Sequence, residues 1–300
     1  MSLRVLVTGA GGMLGRDVVE RFRRHADVVP RLRSELDVSS PQACIRGLKD
    51  VRPDVVVNCA AFTRVDDCET ERGAAYLVNA KGPGHLAWAC RECGTRLVHM
   101  STDYVFDGQG RQPYRETDAT RPVNVYGASK LAGEQAIQSM GGDYLIVRTA
   151  WLYGRHGPNF VRTILRLAEE KEILHVVSDQ RGSPTYTPDL ALGLWWLVAQ
   201  GARGIVHVTN EGTCTWYEFA REIFRLTGRD PDRVRPVATR DYPRPARRPA
   251  YSVLDTSFFA ALTGGRLRRW NEALVDYLEA EGLPASDGEG EGAADPLAAG

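Results

Sequence analysis

Two kinds of hydrophobic pattern alternate along the first half of the chain. After the first strand-like run, and again later in the chain, apolar residues recur at helical spacing. The strand-like runs themselves are short and almost continuously apolar, and they cover residues 4–8, 27–32, 54–58, 95–101 and 143–149. Such runs are typical of strands that are buried on both faces of a parallel sheet. Helical segments are predicted between them, including 41–51, 69–93 and 126–136. The alternation predicts an α/β fold with a doubly wound parallel sheet.

After residue 150 this alternation loosens. Residues 182–189 predict a turn and then a helix, in which Thr187 is the N-cap and Pro188 the first helical residue. The remaining predicted elements are a strand at 204–208 and helices at 216–227 and 270–280.

Composition and charge narrow the class of partner. The chain carries 38 basic and 38 acidic residues, so no overall charge favours nucleic acid or a membrane surface, and a small polar substrate is the better expectation. No apolar stretch approaches the roughly 18 residues of a membrane span. The six cysteines lie within periodic segments rather than framing loops. We therefore expect a cytoplasmic protein with reduced thiols, no membrane or nucleic-acid partner, and no histidine or cysteine metal site.

A glycine-rich turn separates the first strand from the first helix. Gly9, Gly12 and Gly15 have the spacing that allows a tight turn, close approach to a pyrophosphate and packing of the helix on the strand. The context predicts a dinucleotide site; its residues are Gly9, Gly11, Gly12, Met13, Leu14 and Gly15.

The position of this turn also predicts the division of the chain. Residues 1–150 are expected to form a Rossmann domain that binds NAD(P), and segments of 151–250 are expected to return to it. Residues 151–284 are predicted to be mainly a smaller, substrate-binding lobe. The acidic, glycine-rich residues 285–300 are expected to be disordered.

The end of the second strand bears on the choice between NADPH and NADH. An acidic residue at this point favours the ribose hydroxyls of NAD, whereas arginine suits the additional phosphate of NADP. Arg31 and Arg33 lie there, which favours NADPH and leaves NADH as the alternative; Asp37 and Val38 are placed near the adenine. The competing interpretation is that these are ordinary exposed arginines in an arginine-rich chain.

Three side chains are candidates for acid–base chemistry. Tyr126 and Lys130 are four residues apart, so on a helix they share one face. An ammonium beside a phenol favours the phenolate and brings proton transfer nearer to neutral pH. Thr102, at the end of the fourth strand, can converge on the same carbonyl oxygen. Ala60 and Ala61, after the third strand, are small enough for a cofactor to pass. Each residue also has a purely structural interpretation.

Taken in order, these segments resemble the extended short-chain dehydrogenase/reductases, and within them the dTDP-4-dehydrorhamnose reductase family. The resemblance covers about residues 4–280. Its motifs are the glycine turn, residues 58–63 (NCAAFT), residues 101–108 (STDYVFDG), residues 126–130 (YGASK), residues 182–187 (GSPTYT) and residues 248–255 (RPAYSVLD).

The resemblance implies a reaction and roles for these residues. The family reduces the C4 ketone of dTDP-4-dehydro-6-deoxy-L-mannose to dTDP-L-rhamnose. Tyr126 would protonate the ketone oxygen, Lys130 would assist it and hold the nicotinamide ribose, and Thr102 would bind the carbonyl. Asp103 and Trp151 would contact the sugar.

The resemblance also places Phe62 in the cofactor site, at a position where many relatives have tyrosine. Some members of this family are magnesium-dependent or form homodimers, so the resemblance makes Mg²⁺ and a homodimer possible here. Two alternatives remain open: a 4-ketoreductase for another dTDP-deoxysugar, and a non-catalytic regulatory subunit of methionine adenosyltransferase. A separate cluster, Arg240, Arg244, Arg247 and Arg248, is expected to form either a cationic lid or a solvated loop.

Overall fold

The computed structural model describes residues 3–283 and has an α/β architecture. Its strands are Arg4–Thr8 (β1), Asp27–Arg31 (β2), Val55–Asn58 (β3), Arg96–Thr102 (β4), Tyr144–Thr149 (β5), Leu152–Tyr153 (β6), Leu174–Val177 (β7), Arg181–Gly182 (β8), Thr185–Tyr186 (β9), Gly204–His207 (β10), Cys214–Thr215 (β11) and Val234–Val237 (β12). Its α-helices are Met13–Phe22 (α1), Pro41–Val51 (α2), Asp67–Thr70 (α3), Arg72–Tyr76 (α4), Gly82–Cys93 (α5), Val125–Met140 (α6), Phe160–Glu170 (α7), Thr187–Ala199 (α8), Trp216–Leu226 (α9), Ser257–Thr263 (α10) and Trp270–Ala280 (α11).

Six of these strands form the central sheet, in the order β10-β5-β4-β3-β1-β2, and every neighbouring pair is parallel. The predicted doubly wound sheet is therefore confirmed. The strand order reverses between β1 and β3, so the connections from these two strands diverge and leave a crevice at their carboxyl ends. Thr8, Asn58 and Thr102 end β1, β3 and β4 at this edge.

Apolar side chains cover both faces of the sheet. On one face α1 and α8 pack together through residues such as Val18, Phe22 and Leu194, which are fully buried. On the other face α2, α5 and α6 contribute Leu48, Leu86 and Ile137. The burial of these helical stripes supplies most of the driving force that holds the sheet between two helical layers.

A separate apolar cluster lies outside the central sheet. Tyr153, Phe219, Ile223 and Tyr277 are completely buried in it, and they come from β6, α9 and α11. Residues after 150 thus build this second cluster, while α8 and β10 pack on or pair with the sheet.

Two predicted helix boundaries were wrong. The single helix expected over 69–93 is divided into α3, α4, a π-helical turn at Leu77–Lys81 and α5. The side chain of Asn79 in that turn bonds to the backbone of Phe62, which explains why a regular helix is not kept there. Helix α8 begins at Thr187 itself, so Tyr186 is its N-cap and not Thr187. Within residues 3–283, no helix is long and apolar enough to cross a membrane.

Candidate active site

The glycine turn brings the backbone of β1 against the loop that follows β3. A Cβ at Gly9, whose φ is +64°, would lie 2.6 Å from the Ala60 nitrogen, and a Cβ at Gly15 would lie 2.2 Å from the Gly9 oxygen. No side chain caps α1 at its N-cap residue Gly12, so the first N–H groups of the helix face the crevice without such a partner. This is a cradle with the shape and the donors to hold a pyrophosphate.

We expect Gly15→Ala to weaken NADPH binding by about 10-fold or more, since the added methyl group must push the glycine turn out of place. Gly73→Ala is the matched control, because a Cβ at Gly73 would meet nothing within 4 Å. Titration of NADPH fluorescence measures both variants. Equal affinities for the two would contradict the assignment of this turn to the cofactor.

The end of β2 presents cationic and acidic groups together. Arg33 is largely exposed, and its Nε lies 3.8 Å from Asp37 Oδ2. A backbone hydrogen bond from Ser39 holds the pKa of Asp37 below its ordinary value. Val38, in contrast, is buried, and its carbonyl accepts hydrogen bonds from Cys44 and His85. Its side chain therefore belongs to the core, so any contact from Val38 to an adenine would be made by its backbone.

The loop after β3 is held by hydrogen bonds from two asparagine side chains. Asn58 Oδ1 accepts from the Ala60 nitrogen at 3.1 Å. Asn79 both accepts from Phe62 N at 2.8 Å and donates to Phe62 O at 2.9 Å, and it donates to Ser129 Oγ. Asn79 thus ties this loop to α6. The sequence analysis gave it no role, although a polar residue within a segment otherwise patterned for burial was the available signal.

Thr102, Asp103 and Tyr126 converge where β4 ends and α6 begins. Thr102 Oγ1 donates to Asp103 Oδ1 at 2.9 Å, and Asp103 is almost completely buried. Burial raises the pKa of Asp103 to about 7. Burial also raises the pKa of the Tyr126 phenol, the charge of Asp103 raises it further, and a hydrogen bond with Thr102 offsets part of this shift. A proton therefore resides on the phenol at neutral pH, as a proton donor requires.

Lys130 occupies the next turn of the same helix and is buried. Its Nζ donates to the Met100 carbonyl at 2.6 Å and lies 3.5 Å from His99 Nε2. Burial lowers the pKa of Lys130 to about 8, and the charge of Glu134 acts in the opposite direction. Lys130 is not among the groups that shift the pKa of Tyr126 here, so its assistance to the phenol stays a prediction.

Helix α6, which carries Tyr126 and Lys130, is fixed by an N-cap and by close packing on two neighbouring segments. The side chain of Asn124 caps it by accepting from Gly127 N at 2.7 Å. A Cβ at Gly127 would lie 2.0 Å from the Tyr104 oxygen, and one at Gly133 would lie 2.2 Å from the Asn79 oxygen, so α6 approaches both segments closely. One turn beyond Lys130, Glu134 forms a buried ion pair with Arg148.

A cavity of about 970 Å³ borders this centre. Tyr104 lines it, and the Tyr104 ring lies 5.7 Å from that of Tyr126 in an edge-to-face arrangement. Trp216 also lines it and stacks on Trp151 with ring centroids 3.5 Å apart. Trp151 has a φ of +49°, an uncommon conformation for a residue with a side chain. The cavity therefore meets this centre through Tyr104 and Trp216, whose rings contact Tyr126 and Trp151. Thr102, Asp103, Tyr126 and Trp151 are not themselves among the described residues that line it.

The arginine cluster forms part of the wall of this cavity. Arg240, Arg244, Arg247 and Arg248 all line it. Asp66 accepts hydrogen bonds from Arg248 and from Ala246 N, and its Oδ2 lies 3.9 Å from Arg244. Asn124 donates to the Arg247 carbonyl at 2.7 Å. Arg248 and the backbone of Arg247 are therefore anchored beside the cavity, whereas the side chains of Arg240 and Arg244 are exposed to solvent. The acid that fixes Arg248, Asp66, was not anticipated.

Among residues 3–283, no three His, Cys, Asp or Glu side chains group in a way that could hold a metal ion. The Mg²⁺ that the resemblance implied for some relatives has no support in the described residues, and no chemistry is assigned to it.

The chain was compared with known proteins. Residues 3–282 match the family model of the RmlD substrate binding domain. A dTDP-4-dehydrorhamnose reductase of Streptomyces griseus is 48% identical over 284 residues, covering 92% of this chain and 93% of the relative. A dTDP-4-keto-6-deoxy-D-glucose reductase of Streptomyces niveus is 48% identical over 278 residues, covering 92% and 96%. The crystal structure of dTDP-4-dehydrorhamnose reductase from Bacillus anthracis in complex with NADP has a TM-score of 0.89 and 39% identity, covering 93% of this chain and all of that one.

The match extends over the glycine turn, the Thr102–Tyr126–Lys130 constellation and the arginine-lined cavity alike. It also disfavours the regulatory-subunit alternative, because these relatives are named as reductases. The chain belongs to the dTDP-4-dehydrorhamnose reductase family of oxidoreductases.

Proposed function

We propose that the protein uses NADPH to reduce the C4 ketone of dTDP-4-dehydro-6-deoxy-L-mannose, forming dTDP-L-rhamnose. The observation that carries the proposal is the convergence of the Tyr126 phenol and the Thr102 hydroxyl at the carboxyl ends of the strands. The glycine turn supplies a pyrophosphate cradle, and Tyr104, whose ring contacts that of Tyr126, lines the arginine-bearing cavity. NADPH would supply the hydride when bound.

Within the site, Tyr126 would donate its proton to the ketone oxygen. The Thr102 hydroxyl, which donates to Asp103 in this structure, would turn its hydrogen to donate to the same oxygen. Lys130 would stabilise the phenolate that remains and bind the nicotinamide ribose. The groups are held before the substrate arrives, since β4 and the anchored helix α6 fix their backbones. Such orientation lowers the barrier by on the order of several kcal/mol compared with unplaced reactants.

The cavity fits the nucleotide sugar. Four arginines offer the charge that a diphosphate requires, and bidentate guanidinium groups suit phosphate oxygens well. The stacked Trp151–Trp216 pair offers a flat apolar surface to a sugar or a base. Asp103 and Trp151 are proposed to contact the sugar, Asp103 through the buried carboxyl beside Thr102. The second apolar cluster is accordingly proposed to be the core of the substrate-binding lobe.

The preference for NADPH over NADH is supported by Arg31 and Arg33 at the end of β2 and by the NADP complex of the Bacillus anthracis relative. Gly11, Gly12, Met13 and Leu14 are proposed to bind the pyrophosphate by backbone groups. Ala60, Ala61 and Phe62 would line the cofactor, and Asp37 and Val38 would lie near the adenine. The cytoplasmic location is supported by the free cysteines of the described residues, and the homodimer by the resemblance alone.

A second candidate keeps the chemistry and changes the sugar, and the Streptomyces niveus relative favours it, because its name states a different dTDP-4-keto sugar. A panel of dTDP-4-keto-6-deoxy sugars, each with NADPH and with NADH, separates the two. We expect the highest kcat/KM with the L-mannose-configured ketone and NADPH. A higher kcat/KM with a D-glucose-configured ketone would show that this ketone is the substrate instead. If neither NADPH nor NADH is oxidised with any of the ketones, the reductase assignment is wrong.

A further inference from the structure

A buried chain of polar side chains runs behind the active site, from the glycine turn to Lys130. Thr8 Oγ1 and Asn58 Oδ1 are 2.7 Å apart, Asn58 Nδ2 and His99 Nδ1 are 3.0 Å apart, and His99 Nε2 and Lys130 Nζ are 3.5 Å apart. Thr8, Asn58 and His99 are completely buried. Water therefore cannot replace a poorly matched partner in this chain, and each proton position must follow from its neighbours.

The orientation of Asn58 is decided by a backbone group. The Ala60 N–H can only donate, and it points at Asn58 Oδ1 at 3.1 Å. The atom facing Ala60 is therefore the amide oxygen, and the atom facing His99 is the NH₂ group. Since an NH₂ group only donates, His99 Nδ1 must accept and carries no proton.

This assignment fixes the rest of the histidine. A neutral imidazole must hold one proton, so the proton of His99 lies on Nε2, the atom that faces Lys130. A cationic imidazole would place a proton on both nitrogens and would oppose the Asn58 amide. Lys130 thus meets an N–H donor on this side and the Met100 carbonyl on another.

We propose that His99 is a positioning residue for Lys130: His99 presents its Nε2–H to the lysine nitrogen and favours the uncharged amine in the cofactor-free protein. An amine has a lone pair that can accept from this N–H, whereas an ammonium has none. A hydrogen bond to the neutral form disfavours the charged form. The lysine would then lose its proton closer to neutral pH than burial alone accounts for.

The other groups that face Lys130 act in known directions. Glu134, on the same helix, favours the ammonium, whereas the Cys59 thiol, after β3, is uncharged because burial raises its pKa to about 12. Glu134 is itself neutralised by Arg148, with Nη2 and Oε2 2.7 Å apart. Tyr126, on the preceding turn, carries its proton. His99 is the group among these that opposes the ammonium through an oriented donor.

The experiment measures the titration of Lys130 directly in the cofactor-free protein by ¹³Cε NMR of labelled lysine. The chain has four lysines, Lys49, Lys81, Lys130 and Lys171, so the Lys130 resonance is assigned by its loss in Lys130→Met. His99→Met removes the N–H, and we expect the pKa of Lys130 to rise by about one unit. Thr8→Val is the matched control: it breaks the same buried chain at Asn58 but leaves the N–H in place, so the pKa of Lys130 should not move.

An unchanged pKa in folded His99→Met would overturn the proposal. If that variant does not fold, the ¹⁵N spectrum of histidine in the unaltered protein decides, because a His99 signal with the proton on Nδ1 contradicts the assignment. The relevance to catalysis rests on the proposed function, in which the ammonium assists Tyr126. There the alkaline limb of kcat/KM for NADPH, which reports groups of the cofactor-free enzyme, should move to higher pH in His99→Met. The NMR result does not depend on turnover, so an inactive protein with the expected titration would refute the reaction and leave the His99 assignment intact.

Discussion

Tyr126→Phe should lower kcat by about 10²- to 10⁴-fold, the range expected for loss of a general acid. The variant removes one oxygen from a ring that packs edge-to-face on Tyr104, so the packing is retained while the proton donor is lost. Measured with saturating NADPH and dTDP-4-keto sugar, the loss should lie in kcat, because the phenol acts on the oxygen that gains charge in the transition state.

Two further measurements test whether the loss is specific to the proton donor. NADPH affinity in Tyr126→Phe should stay close to that of the unaltered protein, because the glycine turn that is proposed to bind the pyrophosphate does not change. Tyr144→Phe is the control, since Tyr144 begins β5 and lies at the other end of the strand from the carboxyl edge. Turnover of Tyr126→Phe within a few fold of the control would refute the role of Tyr126.

Arg148→Met is expected to have the largest effect on stability. Arg148 and Glu134 are both almost completely buried, and Arg148 Nε and Nη2 donate to the two Glu134 oxygens at 2.9 and 2.7 Å. Removal of one partner from a buried ion pair leaves a desolvated charge and typically costs about 3–5 kcal/mol. Ser101 Oγ, at 2.5 Å, would remain as a donor to Glu134 but carries no charge.

The free energy of unfolding, from denaturant titration and calorimetry, measures this effect. Arg166→Met is the matched control, because Arg166 and Glu170 form an exposed i,i+4 pair whose loss should cost less than about 1 kcal/mol. Adding Glu134→Gln to Arg148→Met should restore part of the loss by removing the stranded charge. Equal destabilisation by Arg148→Met and Arg166→Met would contradict the structural role of the buried pair.

The sheet was predictable because its strands are buried on both faces and therefore appear in the sequence as short, almost continuously apolar runs. The predicted strand at 54–58, for instance, differs by one residue from Val55–Asn58, and helices 41–51 and 270–280 were predicted at their observed bounds. Helix α7 was not predicted, although Val161, Ile164 and Ala168 are buried at helical spacing along it. The π-helical turn at Asn79 could not be predicted from periodicity, because it accompanies a side-chain-to-backbone contact with a loop 17 residues earlier in the chain.

The site was predictable only as far as motifs extend. Local sequence patterns indicate the chemistry of Tyr126, Lys130, Thr102 and the glycines. His99, Asp66 and Arg148 do not, because their partners are distant in sequence: His99 pairs with Asn58, Asp66 with Arg248, and Arg148 with Glu134. The polar residue inside an apolar strand was a signal in two of these cases, since both His99 and Arg148 interrupt buried runs. Its meaning required the fold.

The central claim is that a hydride passes from NADPH to C4 of the dTDP-keto sugar while Tyr126 protonates the oxygen. The most direct test uses NADPH deuterated at the transferable C4 position of its nicotinamide, with dTDP-4-dehydro-6-deoxy-L-mannose as substrate and mass spectrometry and NMR of the product. The account predicts dTDP-L-rhamnose with deuterium at the sugar C4 and a proton from solvent on its oxygen. Deuterium that stays in the cofactor, or appears at another sugar carbon, would contradict it.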